Sequence, residues 1–159
     1  MAWSTSYIVP STLVSALQAN GTRINLDLSS ASAQFYVALY DNTVTPNVDT
    51  DPQSYGSAPW TTGEVTGTNW PAGGVALDLS GNGLTHASGG FLKFQAQPVS
   101  VSNTTISTGV YGCLIYAQAL SPAYALCAVF FGGSGYTTSA SPMGITWPTA
   151  GIWTLALEP

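Results

Sequence analysis

Charge is what this chain has least of. Of its 159 residues two are basic, Arg23 and Lys93, and seven are acidic. Charged residues make up 6%, where an ordinary soluble domain has about 25%. Holding phosphates takes a cluster of Lys and Arg, so the composition argues against DNA or RNA as a partner and against a polybasic contact with a membrane surface. Long apolar runs are missing too: the longest, "ALCAVFF" at 125–131, is too short to cross a bilayer. The opening "MAWSTSYIVP" has neither the basic nor the apolar stretch of a signal peptide. The expectation is a protein made in a cytoplasm and kept soluble there.

Groups that do chemistry are also scarce. The single histidine, His86, would need Asp78 and Ser80 or Ser88 to make a hydrolase, and no G-x-S-x-G elbow accompanies it. Cys113 and Cys127 lie in apolar strand candidates, where burial raises a thiol pKa. Buried free thiols are the favoured reading. A cross-strand disulfide is the geometric alternative, if a hairpin centres near Leu120. Asn47, Asp49 and Asp51 are spaced like early calcium-loop ligands, but Pro52 stands where an EF-hand needs Gly and no closing Glu follows. A solvated acidic loop fits better. Among the acids Asp27, Asp41, Asp49, Asp51, Glu64, Asp78 and Glu158 no pair stands out for glycoside hydrolysis, and no Cys/His cluster exists for zinc. The reading is a non-enzyme with no metal and no cofactor.

What the chain does have is hydrophobic residues (45%) and a wealth of Ser, Thr, Gly and Asn. A surface solubilised by hydroxyls and amides has little charge to repel its neighbours, which suits a protein held in an assembly. The length fits one domain with a sizeable core. "STLVSALQANG" reads as a short helix with Ser11 as N-cap, Leu13, Val14, Ala16 and Leu17 on one face, and Gly21 as the stop. "TRINLDLSS" alternates Ile24, Leu26 and Leu28 with Arg23, Asn25 and Asp27, the pattern of a half-buried strand. "QFYVALYD" reads as a second strand with Phe35, Val37 and Leu39 facing one way. "GGVALDLSG", "FLKFQAQ", "VYGCLIYAQ", "AYALCAVFF", a weaker "MGITW" and "GIWTLALEP" supply more, separated by Gly and Pro clusters. About eight short strands and one helix predict an all-β protein: a single antiparallel β-sandwich or jelly-roll-like domain over 23–159, preceded by an N-terminal arm and short helix over 1–22.

The aromatic residues of the loops raise the functional question. Residues 42–62 have no sustained period, and loops of that length are usually functional or exposed. Trp60, Trp70 and Tyr55 could stack on sugars, contact another chain, or pack beneath their own loops. Packing is preferred for Trp70, with Gly73 and Gly74 permitting a backbone angle or close approach beside it. Trp3, Tyr7 and Ile8 either arm the N-terminus for docking or close over the protein's own core.

Several phrases, in order, resemble a known family: "FYVALYDNTVTPNVDTD", "GEVTGTNWPAGGVALD", "VYGCLIYAQ", "ALCAVFFGG" and "ITWPTAGIWTLAL". Together they are similar to small tailed-bacteriophage virion proteins encoded among head genes, decorating the capsid or serving as minor capsid components. The resemblance covers about Phe35 to Leu157, and its most specific piece is E-V-x-G-T-x-[aromatic]-x-A-G-G-V-A-L at Glu64 to Leu77. The family's usual acidic residue before the glycine of "ALCAVFFGG" is here Phe131. The resemblance implies a structural virion protein on the capsid exterior, produced in a bacterial host's cytoplasm. Its partner would be the major capsid protein of the same phage, with a homotrimer as the suspected assembly. It would have neither nucleic acid nor membrane as partner, and Trp3, Tyr7, Ile8, Trp60 and Trp70 would be its contact residues. The alternative is a minor tail or fibre-tip protein that holds host glycans through its loop aromatics.

Overall fold

A computed structural model describes residues 3–18 and 24–156. The described residues form one short helix and eleven strands, paired antiparallel throughout. The all-β, sandwich-like class expected from the sequence is what the chain adopts.

The central layer is a six-stranded sheet. Its core is β2 (Phe35–Tyr40), β8 (Gly112–Ala117) and β9 (Ala125–Phe130). It is flanked by β1 (Tyr7–Ile8) on β9, and by β3 (Glu64–Val65) and β4 (Val75–Ala76) on β2. The second layer is a long bent ribbon. β6 (Phe91–Gln95) and β7 (Val99–Val110) follow one another, and β11 (Trp153–Ala156) and β10 (Tyr136–Ile145) run back along them. β10 pairs with β7 and β11 with β6, while β5 (Gly83–Ala87) adds to the far side of β6. Where the ribbon is interrupted, the Trp147 indole N–H donates to the Gln97 carbonyl at 3.0 Å, so a side chain replaces the missing ladder bond.

β2 and β8 are buried on both faces, and that organises the molecule. Phe35, Val37, Leu39, Cys113 and Ile115 point toward the ribbon, meeting Phe94, Ile106, Met143, Ile145 and Trp153 in the main core. Ala38, Tyr40, Leu114 and Tyr116 point the other way, into a second core closed by Trp3, Val9, Val44 and Trp60. The sequence alternation correctly placed Phe35, Val37 and Leu39 together, but the intervening residues are not solvated. Near-continuous apolar strands of this kind belong to sheets covered on both sides. Here the covers are the ribbon on one face, and the N-terminal segment with the loop after β2 on the other.

Three sequence expectations need correction. The helix is Pro10–Leu17 with Val9 at its N-cap and Pro10 in its first turn, so Ser11 lies inside it and caps nothing. Proline serves that position well because its missing N–H is an orphan there anyway. The helix buries Thr12, whose hydroxyl donates to the Ala125 carbonyl, while Val14 and Leu17 stand 48% and 83% exposed. The expected apolar face is therefore split: Leu13 packs against the main core, while Val14 and Leu17 turn outward. Residues 24–28 form no strand, although Ile24, Leu26 and Leu28 are less exposed than Asn25 and Asp27. The segment is held by Gln34, which takes the Asp27 amide at 2.9 Å and donates to the Asn25 carbonyl at 3.1 Å, side-chain bonds replacing a ladder. The expected stop at Gly21 and the strand start at Arg23 lie outside the described residues, as does Glu158.

Cys113 and Cys127 sit on the β8–β9 hairpin, two residues out of register: Cys113 faces Val129, and Cys127 faces Ile115. Both are free and buried, and burial pushes both thiols well above their ordinary range.

Candidate interaction surface

Of the five residues expected at a contact surface, Trp3, Trp60 and Tyr7 belong to the second core on one face of the central sheet, while Trp70 and Ile8 pack in the main core on the other. Trp3 is 3% exposed and Trp60 2%. Their rings meet edge to face at 5.7 Å, and Trp60 meets Tyr40 in the same way at 5.0 Å. Trp70 is fully buried in the main core, beneath a tight turn in which Gly67 and Trp70 exchange backbone hydrogen bonds. Asn69 takes the left-handed conformation in that turn, and its amide donates to the Ser102 and Asn103 carbonyls, tying the turn to β7. None of the three indoles faces solvent, so none is a platform for a sugar ring or a partner. Tyr7 and Ile8 are half-buried in β1, where they pair with Ala128 and Cys127 at the edge of the central sheet. The N-terminal segment thus closes over the chain's own core.

Two polar side chains hold this region together: Gln53, which the sequence did not single out, and Glu64, the first residue of the motif at Glu64 to Leu77. Gln53 is completely buried. Its side-chain oxygen accepts from the Tyr7 hydroxyl at 3.0 Å and the Trp60 indole at 3.1 Å, and its amide donates to the Asn47 carbonyl at 2.9 Å. One amide so fastens the first strand, the loop and a core tryptophan, and its own polar atoms are satisfied. Burial pushes the Tyr7 hydroxyl up to about 12, against the opposing pull of the Gln53 bond.

Glu64, on β3, is the second. Its carboxylate accepts the Gly73 amide at 2.6 Å and the Tyr55 hydroxyl at 2.8 Å. The Gly73 carbonyl in turn accepts the Tyr116 hydroxyl at 2.6 Å, and Tyr55 stacks on Tyr116 at 4.6 Å. Burial first, then the Glu64 bond, raises the Tyr55 hydroxyl to about 12. Gly74 has φ +75, and a Cβ on it would fall on the Val37 carbonyl oxygen, so no side chain fits there. The motif at Glu64 to Leu77 is therefore a self-bonded clasp: an acid at one end, a glycine pair at the other, and tyrosines across the gap.

The remaining chemical candidates do not converge. His86 stands exposed on β5 opposite Leu92, while the Asp78 carboxylate accepts the Ser80 amide at 2.8 Å. Asn47 gives its side-chain oxygen to the Asp49 amide at 3.0 Å. Among the described residues no three His, Cys, Asp or Glu side chains are grouped to hold a metal ion, and no helix is long and apolar enough to cross a membrane.

What the surface presents is hydroxyls. Along β7, Ser100, Ser102, Thr105, Ser107 and Thr108 are exposed, and along β10 so are Thr137, Ser139 and Ser141. Thr104 is the buried exception, bonded to the Ser141 carbonyl at 2.7 Å. No protein-family model, curated protein or solved structure matches the chain.

Proposed function

We propose that this chain is a structural protein of a bacteriophage virion, decorating and stabilising the outer surface of the capsid without catalysis. The observation that carries the reading is the division of labour between inside and outside. All five tryptophans are at most 8% exposed, while the long β7–β10 ribbon offers an almost charge-free row of Ser and Thr. Such a surface can lie against a neighbouring protein without desolvating charges, whose burial is costly. A sheet clamped between two cores resists deformation, the property a shell component needs. The resemblance of the phrases from Phe35 to Leu157 to phage head proteins points the same way, with the major capsid protein as partner and a homotrimer as the assembly to look for. The glycan-binding alternative loses its physical basis in Trp60 and Trp70, whose faces are covered by the chain itself.

The test is the copy number of this chain in purified virions of the phage that encodes it, by quantitative mass spectrometry against the major capsid protein. Hundreds of copies in simple ratio to the shell protein support the reading. A handful of copies would move the chain to the tail or a unique vertex, and absence from virions would overturn the proposal.

A further inference from the structure

One flank of the sandwich lacks a strand. The central sheet ends at β1, and the facing ribbon ends at β10 and β11, whose outer edges have no strand partner among the described residues. Between these two edges run two grooves in series. The larger, 480 Å³, lies between Val129–Phe131 and Tyr136–Pro148, with Met143, Ile145 and Trp147 on its walls. The smaller, 170 Å³, lies between Tyr7, Ile8 and Val129 on one side and Ile152–Thr154 on the other. Val129 lines both, so the two form a single track along the flank. Tyr136 and Leu155, 53% and 40% exposed, stand on the ribbon strands that border it.

We propose that this track receives an extended, uncharged segment of a partner polypeptide, which adds a strand to the edge of β11 and the last residues of β10. Main-chain hydrogen bonds to an open sheet edge, with alternate side chains entering pockets, are the established physics of strand addition. The chemistry of the occupant follows from the lining. No residue on either groove is charged, so a Lys, Arg, Asp or Glu entering it would lose its water with no partner. Size excludes a folded face of a second copy. A stable protein–protein contact buries about 800 Å² per partner, and the track admits a few side chains in a row. Edge-to-edge pairing along all of β10 is blocked as well. Ala140 takes φ +47 and Pro142, which has no N–H to give, follows two residues later, the devices by which edge strands refuse long ladders. What is left open is the short stretch after Pro142 and β11. The inference goes beyond a virion role and does not depend on it.

The probe is a displayed library of twelve-residue peptides selected against the immobilised full chain, followed by hydrogen exchange with the enriched peptides made synthetically. The expected result is enrichment of charge-free sequences with alternating apolar residues, protection of amides in Met143–Ile145 and Trp153–Ala156, and at least ~10-fold weaker binding to Thr146→Glu and Tyr136→Glu, each placing a charge at the track. Both positions are exposed, so these variants should keep the parent's melting temperature, which is measured alongside. No enrichment, protection confined to other strands, binding unchanged in both variants, or binding of small apolar dyes without any amide protection would each overturn the proposal.

Discussion

The Glu64 carboxylate and the Gly73 amide meet at 2.6 Å, closing a loop of the chain from β3 to the glycine pair. The same carboxylate holds the Tyr55 hydroxyl, so one side chain carries two charge-assisted bonds in a half-buried place. Bonds of this kind contribute roughly 1.5–3 kcal/mol each. Glu64→Ala should therefore cost about 2–3 kcal/mol once water replaces part of the loss, lowering the melting temperature by roughly 4–12 °C. Glu64→Gln should fall between the two, since it retains one acceptor. A Glu64→Ala protein that melts with the parent would show that the clasp adds nothing to stability.

Gly74 and Gly81 share a positive φ, +75 and +71, but differ in their surroundings. A methyl on Gly74 would overlap the Val37 carbonyl, whereas one on Gly81 would meet nothing within 4 Å. Gly81→Ala should cost only the left-handed penalty, about 1–2 kcal/mol. Gly74→Ala should exceed about 4 kcal/mol, because backbone of β2 must move, and is expected to give insoluble or unfolded protein. Urea unfolding of Gly81→Ala, set beside the soluble yield and circular dichroism of Gly74→Ala, checks the contrast.

The two loop tryptophans should respond differently to loss of the indole N–H. Trp60 donates to Gln53, while the buried Trp70 N–H has no hydrogen-bond partner. Trp60→Phe removes a satisfied donor and costs about 1 kcal/mol on that account, on top of lost volume. Trp70→Phe removes an unsatisfied one, which offsets part of its cavity cost. The expected order of stability is Trp70→Phe above Trp60→Phe, with alanine at either site costing roughly 3–5 kcal/mol. Equal or reversed phenylalanine variants in a denaturant titration would contradict this.

Alkali should unfold the protein. Tyr7 and Tyr55 are raised from 10.0 to about 12 in the folded chain, chiefly by burial. A group raised by folding gives up its proton more readily in the unfolded state, so its contribution is whole below pH about 10 and fades as the pH climbs through about 12. Stability followed by far-ultraviolet circular dichroism should be flat near neutrality and fall across that window. Tyr7→Phe together with Tyr55→Phe should make the fall shallower, the remainder coming from Tyr40 and Tyr116, whose hydroxyls burial raises as well. A wild-type protein equally stable at pH 8 and pH 11.5 would rule out the burial of these hydroxyls.

The apolar strands were legible in the sequence, and the polar ones were not. β2, β8 and β9 announce themselves by composition, and Gly and Pro clusters bracket them. β7, at twelve residues the longest strand, reads "VSVSNTTISTGV", where hydroxyls mask the pattern; buried Thr104 satisfies its oxygen within the ribbon and so sits where an apolar residue would be expected. The segment at 24–28 misled in the opposite direction, since alternating burial needs only an extended chain and not a ladder partner. Of the site residues, the tryptophans were visible but their surroundings were not. Gln53 carries no local signal, and Glu64 was visible only as the start of a motif, because the partners Tyr7, Trp60 and Tyr55 come together only when the loop folds across the sheet.

The second core also sets an order of events in the cell. Its cover includes Trp3 and Val9, which are synthesised before β2 and β8, yet Tyr7 pairs with Ala128 on β9, which is synthesised after both. Until β9 emerges, Trp3 and Val9 have no sheet to lie on, and β2 and β8 stand with one greasy side open to other nascent chains. Anything that tethers or delays this early segment should be felt in how much soluble protein a culture yields, while the molecules that do fold behave normally.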